Sequence, residues 1–548
     1  MDFKLKIVLV LLIIVIPLSY LFSNNTDLTV VVPQDGGVIV EGLVGNVRFI
    51  NPVIARTQTD KDIASVIFSG LTRLGDNGKI VPNLAESWTV SDDGINYEFK
   101  IRDDAIFHDG TKVTSNDVLY TIEAIQDSDV RSPLAITWQG VSVFAPSKDK
   151  VIFTLQQPYS PFIYNTTVGV LPSHLWSEGT ETYSDIIFHE QNLRPIGSGP
   201  YLIEDIETFG DERARKYVLR AFSGNVLGEP YIKTLEFALH DSEDELFQAI
   251  NRGDVTSVSL QNRNAFLRDL AEKNDAYDFY TANSLRIFGI FFNRNRSAVV
   301  ADENVRYALN ATVPREEIID DVLFGIAESA TGPIPPTKNS KSGESELDDA
   351  LEFLKERGWS ENEEGVLEKD DHELSFDLIT IDTPEQISVA TKVSLAFEKI
   401  GGEVDIFTKS RDKFIEENIR PRDFEAALFG YGLSHGFDLF HFWHSSQIND
   451  PGLNIPAYVN LVVDDLLEKA RGVDIVERKE LYNSVEEEIQ DVLPAVFLYS
   501  PLFGYLIPNS LKGISVNEVI SPENRFINID RWHFRTTKVW KILARENI

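Results

Sequence analysis

Apolar positions along this chain switch repeatedly between the two-residue alternation of strands and the three-to-four-residue spacing of helices. The first run is neither. Residues 7–22, IVLVLLIIVIPLSYLF, are almost uniformly apolar, with Lys4 and Lys6 before them and the polar SNNTD after. From Leu28 the stretches LTVVV and GGVIVEG read as strands, and after a turn at Asn51-Pro52 the residues Ile63, Val66, Ile67 and Leu71 form a helical stripe. SWTVSDDGINYEFKI predicts a hairpin about Asp92-Asp93-Gly94, because Asp-Gly supplies the positive φ of a tight turn. A second turn is expected at His108-Asp109-Gly110, then a helix whose periodic part is VLYTIEAI. Thr114 can cap that helix while Asp117 bonds back to the cap's backbone, a capping box. The carboxylates of IRDDAIFHDGTKVTSND therefore read as turn and cap residues rather than as chemistry, with His108 left open.

Downstream, KVIFTLQQPYSPFIY is a strand entering a Pro-rich turn, and RPIGSGPYLIEDI is a Gly/Pro loop feeding another strand. Residues 333–347 form a linker-like stretch, and DDALEFLKERGW a helix stopped by Gly358. A strand over 375–381, a helix over 389–404 ending at a Gly pair, the strand FEAALFGYG and the helix VVDDLLEKAR follow, then a long helix ending at Pro494. Strands and helices alternate rather than segregate, which predicts α/β lobes. With 548 residues the chain is too long for one core, so two or three lobes are expected.

Composition narrows the function classes. Against 86 Asp and Glu stand 51 Lys and Arg, a formal charge of −35, which excludes a phosphate-backbone partner such as nucleic acid. The acidity reads as solubility; a preference for cationic ligands is the sharper alternative. There is no cysteine, so disulfides, thiolate zinc sites, cysteine nucleophiles and a lipid-carrying N-terminal cysteine are all excluded. The N-terminal pattern of basic flank, apolar run and polar exit is an export signal. Its sixteen residues reach roughly 24 Å as a helix, slightly short of a bilayer core. No A-x-A-like cleavage site follows, so an uncleaved anchor fits as well as a cleaved peptide, and the lysines place the bulk of the chain outside the cytoplasm.

The densest chemical candidate is HGFDLFHFWHSSQ, where His435, Asp438, His441 and His444 recur every three residues. On a helix, Asp438, His441 and His444 would share a face and form a candidate metal site, while His435 would lie opposite His444. The competing reading is an aromatic segment with hydrogen-bonded histidines. IGSGP fits neither a serine-hydrolase elbow nor a P-loop, and no H-E-x-x-H occurs. Aromatics near turns, namely Trp138, Tyr159, Tyr164, Tyr431, Trp443 and Tyr499, are candidates to line a ligand cleft or to fill core.

Residues 83–122, NLAESWTVSDDGINYEFKIRDDAIFHDGTKVTSNDVLYTI, resemble the signature region of extracytoplasmic solute-binding proteins of the peptide/nickel class, bacterial solute-binding protein family 5. INP at 50–52, FTLQQPYSPF, PIGSGPY, Asn293 with VRYALN at 305–310, LKERGW and EEEIQDVLPAVFLYSP resemble further family motifs in order, so the resemblance spans about 36 to 510. It implies a bilobed, periplasmic-binding-protein-like type II α/β fold of the large three-domain kind, closing about hinge strands on a cleft between lobes. The implied boundaries are a signal or anchor over 1–26; a discontinuous lobe I over 27–66, 198–286 and 505–548; an inserted domain over 67–197; and lobe II over 287–504. Lobe crossings are expected near 284–293 and 497–505.

The function implied is the substrate-binding component of an ABC importer, without enzymatic activity or cofactor. It would be a monomer that captures oligopeptides and delivers them to a membrane permease pair. Peptide-binding members resemble one another in an acidic D-x-x-DP segment whose aspartate pairs with the peptide's α-ammonium. Here Ser434 or Gly436 stands at that place and Asp438 alone is acidic. Ligand-binding residues implied are Tyr431, Ser434, His435, Asp438, Trp443 and Trp138. A nickel- or metal-chelate receptor with His435 and His441 is the alternative. An extracytoplasmic hydrolase is the reading from another class, and no nucleophile–base arrangement supports it.

Overall fold

One strand, Ala495–Pro508, organises the molecule: its fourteen residues are almost all buried, as a strand covered on both faces requires. The structure, a computed structural model, describes residues 29–541 except Asn77 and residues 179–181, 210–212, 337–349 and 434–437. The apolar run at 7–22, most of the linker-like stretch, Ser434 and His435 thus lie outside the described residues.

The long strand belongs to a 13-stranded sheet. Its first part pairs antiparallel with Arg286–Phe292 and Ala327–Ser329, and its second with Tyr277–Ser284. Beyond Arg286–Phe292 the sheet continues through Ala426–Gly432 to the parallel strands Ser375–Ile381 and Glu403–Lys409. On the other side it continues through Ser257–Val258 to the parallel strands Val38–Val44 and Thr234–His240, then Arg213–Ala221 and Tyr201–Phe209. A separate sheet of four antiparallel strands, Ala85–Val90, Asn96–Ile101, Lys150–Thr154 and Ser142–Ser147, packs with the helix Ser115–Gln126.

The hydrophobic cores divide at the same place as the strand pairing. The largest cluster draws on residues between Ile39 and Ala282 and between Phe503 and Trp532. The cores built on Ile290, Phe376 and Val389, and on Leu285, Trp443 and Ile489, lie wholly between Leu285 and Tyr499. This is the mixed α/β bilobed architecture expected from the sequence. The first and last described strands, Thr29–Gln34 and Arg535–Trp540, pair antiparallel in a two-stranded ribbon.

Local chemistry accounts for most element boundaries. Thr114 and Asp117 form the expected capping box, and the second Asp117 oxygen accepts the Ser173 N–H at 2.8 Å. Gly94 and Gly110 take the positive φ their turns require, 69° and 86°. Two helices differ from expectation. Gln58–Ile67 stops before Leu71, because Gly70 lies against the Thr167 carbonyl, where an added Cβ would come within 2.5 Å, and the chain has turned extended at Phe68. The helix expected over 389–404 is Pro384–Glu398, started by Thr383, whose hydroxyl accepts the Gln386 N–H, with Pro384 in the first turn. Gly401 and Gly402 then lie outside it, and Val404 is already strand.

Candidate functional site

The two core regions are joined by strands that pass directly from one to the other. At the crossing the Ser284 hydroxyl donates to the Pro501 carbonyl, and the Ser500 hydroxyl donates to the Ser284 carbonyl at 3.2 Å. These reciprocal bonds fasten the two crossing strands side by side. Arg286 follows, opposite Gly432 in the next strand. Ser375–Ile381, Glu403–Lys409 and Ala426–Gly432 all end on this edge, and helix Pro384–Glu398 begins there. The carboxyl ends of parallel strands are where open α/β sheets leave a ligand crevice.

The floor of that edge is a layered cluster. The Arg286 guanidinium sits 5.2 Å from the centroid of the Phe288 ring, and Phe288 stacks on Tyr499 at 4.9 Å and 6°. Tyr499 is fully buried; its hydroxyl accepts from Gln386 Nε2 at 3.1 Å and donates to Glu385 Oε1 at 3.3 Å. Burial, reinforced by the Glu385 charge, holds that phenol well above its ordinary pKa, so it remains a donor. Arg286 is exposed and, among the described residues, enters no ion pair. It presents a cation over an aromatic face, partly desolvated and with the Glu385 carboxylate among the charges around it.

The rim lies across the gap between core regions. Tyr159, beside the four-stranded sheet, donates its hydroxyl to Asp438 Oδ2 at 3.2 Å. Asp438 is 1% exposed, and Arg471 approaches the same oxygen at 3.4 Å. The Arg471 guanidinium lies between two rings, 4.8 Å from Tyr159 and 4.4 Å from Phe440. Next to this, the Ser160 hydroxyl donates to the Val473 carbonyl at 2.6 Å and accepts from the Arg478 guanidinium. Burial and the neighbouring Asp438 carboxylate push the Tyr159 phenol up, so its proton stays in place. Two polar clasps therefore bridge the same pair of regions that the crossing strands join.

The residues nominated from sequence fall in different places. Asp438 is at the rim, where its other oxygen also accepts the Phe440 N–H at 3.1 Å. Tyr431 is core: its ring stacks on Phe442 at 4.4 Å and its hydroxyl donates to the Pro333 carbonyl at 3.0 Å. Trp443, 1% exposed, packs against Tyr458 and Phe497. Trp138 is equally enclosed, 1% exposed and packed against Phe153 and Phe162. Both tryptophans take the core alternative.

The helical face expected for the histidines shrinks to a single turn, Phe440–Trp443. His441 is half exposed, with Nε2 3.9 Å from Asp438, whereas His444 lies flat beneath Phe440 at 4.1 Å and bonds Ser446. The two rings diverge because the turn ends at His444, which becomes the cap of the next segment. Among the described residues no group of three or more His, Cys, Asp or Glu is placed to hold a metal ion. Tyr159 and Tyr499 were in the sequence's list of cleft aromatics; Arg286, Glu385 and Arg471 were not. The signal for Arg286 was its position within the crossing expected near 284–293.

The sequence profile of the bacterial extracellular solute-binding proteins, family 5 (Middle), matches residues 79–450. The chain belongs to this family. It is the substrate-binding protein of an ABC importer, extracytoplasmic and not an enzyme, with a permease as partner. The solute-binding protein is 28% identical over 520 residues to the oligopeptide-binding protein AppA of Bacillus subtilis (strain 168), covering 91% of this chain and 92% of that one. It is 27% identical over 380 residues to the nickel-binding periplasmic protein of Escherichia coli (strain K12), covering 66% and 69%. The AppA structure with a nonapeptide superposes with a TM-score of 0.66 at 27% identity, over 92% of this chain and all (100%) of that one. NikZ from Campylobacter jejuni in complex with Ni(L-His) gives 0.67 at 25%, over 90% and 99%. The fold is also that of MppA, a periplasmic murein tripeptide-binding protein in unliganded open form, at 0.75 and 19% identity over 93% and 99%.

Proposed function

We propose that this solute-binding protein captures oligopeptides in the cleft between the Arg286–Phe288–Tyr499 floor and the Tyr159–Asp438–Arg471 rim. The observation that carries the reading is Arg286: an exposed guanidinium in no ion pair among the described residues, braced on an aromatic face at the crossing. It suits a ligand carboxylate, which accepts from arginine in bidentate fashion. Asp438 is committed to Tyr159, Arg471 and the Phe440 N–H. Selectivity for a free α-ammonium at Asp438 is accordingly not part of the proposal. The extensive match to an oligopeptide-binding relative supports the peptide reading. The lobes proposed are 27–66 with 198–286 and 505–548, an insert over 67–197, and 287–504, and residues 7–22 are proposed as a membrane anchor.

Calorimetric titration with a peptide library tests this. Peptides with a free C-terminus should bind, and C-terminal amidation or Arg286→Ala should each weaken binding by at least about tenfold. Absence of binding to any peptide would sink the reading. A nickel-chelate ligand is the second reading, favoured by the half-exposed His441 ring beside Asp438 and by the likeness to NikZ. Metal-dependent binding that disappears in a His435→Ala, His441→Ala variant would establish it in place of peptides.

A further inference from the structure

The ribbon that pairs the first and last described strands differs in charge from the rest of the molecule. Residues 535–541, RTTKVWK, carry Arg535, Lys538 and Lys541 and no acid, and the opposing strand Thr29–Gln34 is uncharged, in a chain of net −35. Arg535, Lys538 and Lys541 are exposed, and among the described residues none enters an ion pair. Side chains directly opposite in an antiparallel pair share a face. Lys538 is therefore beside Val31, which is 54% exposed, and two residues from half-buried Trp540. Arg535, three residues back from Lys538 along the strand, projects from the other face. A basic stem beside an aromatic ring and exposed valine is the composition of a bilayer–water interface.

Chain length places this ribbon at the membrane. Only residues 23–28 separate the apolar run from Thr29, and six extended residues reach no more than about 20 Å. We propose that the ribbon Thr29–Gln34/Arg535–Trp540, with Lys541, docks on the anionic phospholipid headgroups of the membrane surface. There it orients a body whose acidity would otherwise be repelled by that surface. The attraction falls off within roughly 10 Å at moderate ionic strength, a range within which a short linker to the membrane would keep the ribbon. The inference rests on the proposed membrane anchor at residues 7–22; the residues of the ribbon are separate from those of the ligand cleft.

The lack of cysteine permits a clean test. Full-length Val31→Cys protein, labelled with an environment-sensitive dye, is placed in nanodiscs of phosphatidylcholine alone or with one third phosphatidylglycerol. Emission should shift to the blue and acrylamide quenching should fall only in the anionic discs. Both effects should vanish in high salt and in a Arg535→Gln, Lys538→Gln, Lys541→Gln variant that retains peptide binding. If the chain does not associate with discs at all, the anchor reading fails, and the same labelled chain is read by flotation with the two vesicle types. The triple variant should then lose at least about tenfold in partition to anionic vesicles. Equal behaviour with neutral and anionic lipid in either format overturns the proposal.

Discussion

His108 fastens together two family motifs nearly ninety residues apart in sequence. Its Nδ1 accepts the Gly197 N–H at 3.2 Å, and its Nε2 lies 3.1 Å from the Gly199 carbonyl, which fixes the proton on Nε2. Gly197 and Gly199 pass so close to the Ile67 carbonyl that an added Cβ would come within 2.1 and 2.7 Å of it, so only glycine fits this loop. Burial lowers the His108 pKa to about 4, opposed by the Gly199 bond and Asp109. The folded state thus binds the proton less well than the unfolded chain, whose histidine titrates near 6.5. Its contribution is complete above that pH and is lost as pH falls toward 4, a change of roughly 3 kcal/mol. Urea unfolding between pH 7 and 4 should show this slope, and His108→Gln should flatten it. A second buried group is Arg525, 2% exposed, which donates to Glu41 at 2.9 and 3.1 Å and to Asp62 at 2.8 and 2.9 Å. Arg525→Met leaves two buried carboxylates facing one another and should destabilise the fold by about 3–5 kcal/mol in the same assay.

At the scale of elements, the proposed closure of the two regions should depend on the rim clasps that bridge them. Arg471→Ala leaves Asp438 buried without its cation whenever the cleft is shut, so the unliganded protein should shift toward an open form. Small-angle scattering should show a larger radius of gyration without ligand, and peptide affinity should fall by about tenfold or more. Unchanged scattering would show that the clasp does not bear on closure. Much of this level was legible in the sequence where local chemistry sets the outcome: the Thr114–Asp117 box and the Asp-Gly turns. Spacing alone misled where tertiary contacts decide. The three-residue histidine repeat suggested a shared face, but the helix lasts one turn and His444 packs under Phe440. Trp138 and Trp443 looked like cleft aromatics because nothing in a single sequence separates a ring facing a cleft from one facing a core. Arg471 was invisible as a site residue because its meaning lies in Tyr159 and Phe440, which come from distant segments, and Arg286 gains its meaning from Tyr499 of another strand, on which its own neighbour Phe288 stacks.

For the whole molecule, the proposed site follows from the crossing strands, beside which Phe288 stacks on Tyr499 while Tyr159 and Asp438 meet across the gap. The charge of −35 bears on encounter rather than on the fold, since it favours cationic over anionic ligands at low salt. Peptides rich in lysine should therefore associate faster than acidic ones of equal length, with the difference shrinking as salt is raised, measurable by stopped-flow fluorescence. The central claim, that the cleft holds a peptide, is tested most directly by mass spectrometry of what co-purifies with the native protein under non-denaturing conditions. Peptide masses released on denaturation, and absent from Arg286→Ala protein prepared in parallel, are the predicted result. A bound metal chelate, or no peptide in the wild-type preparation and none taken up on addition, would contradict it.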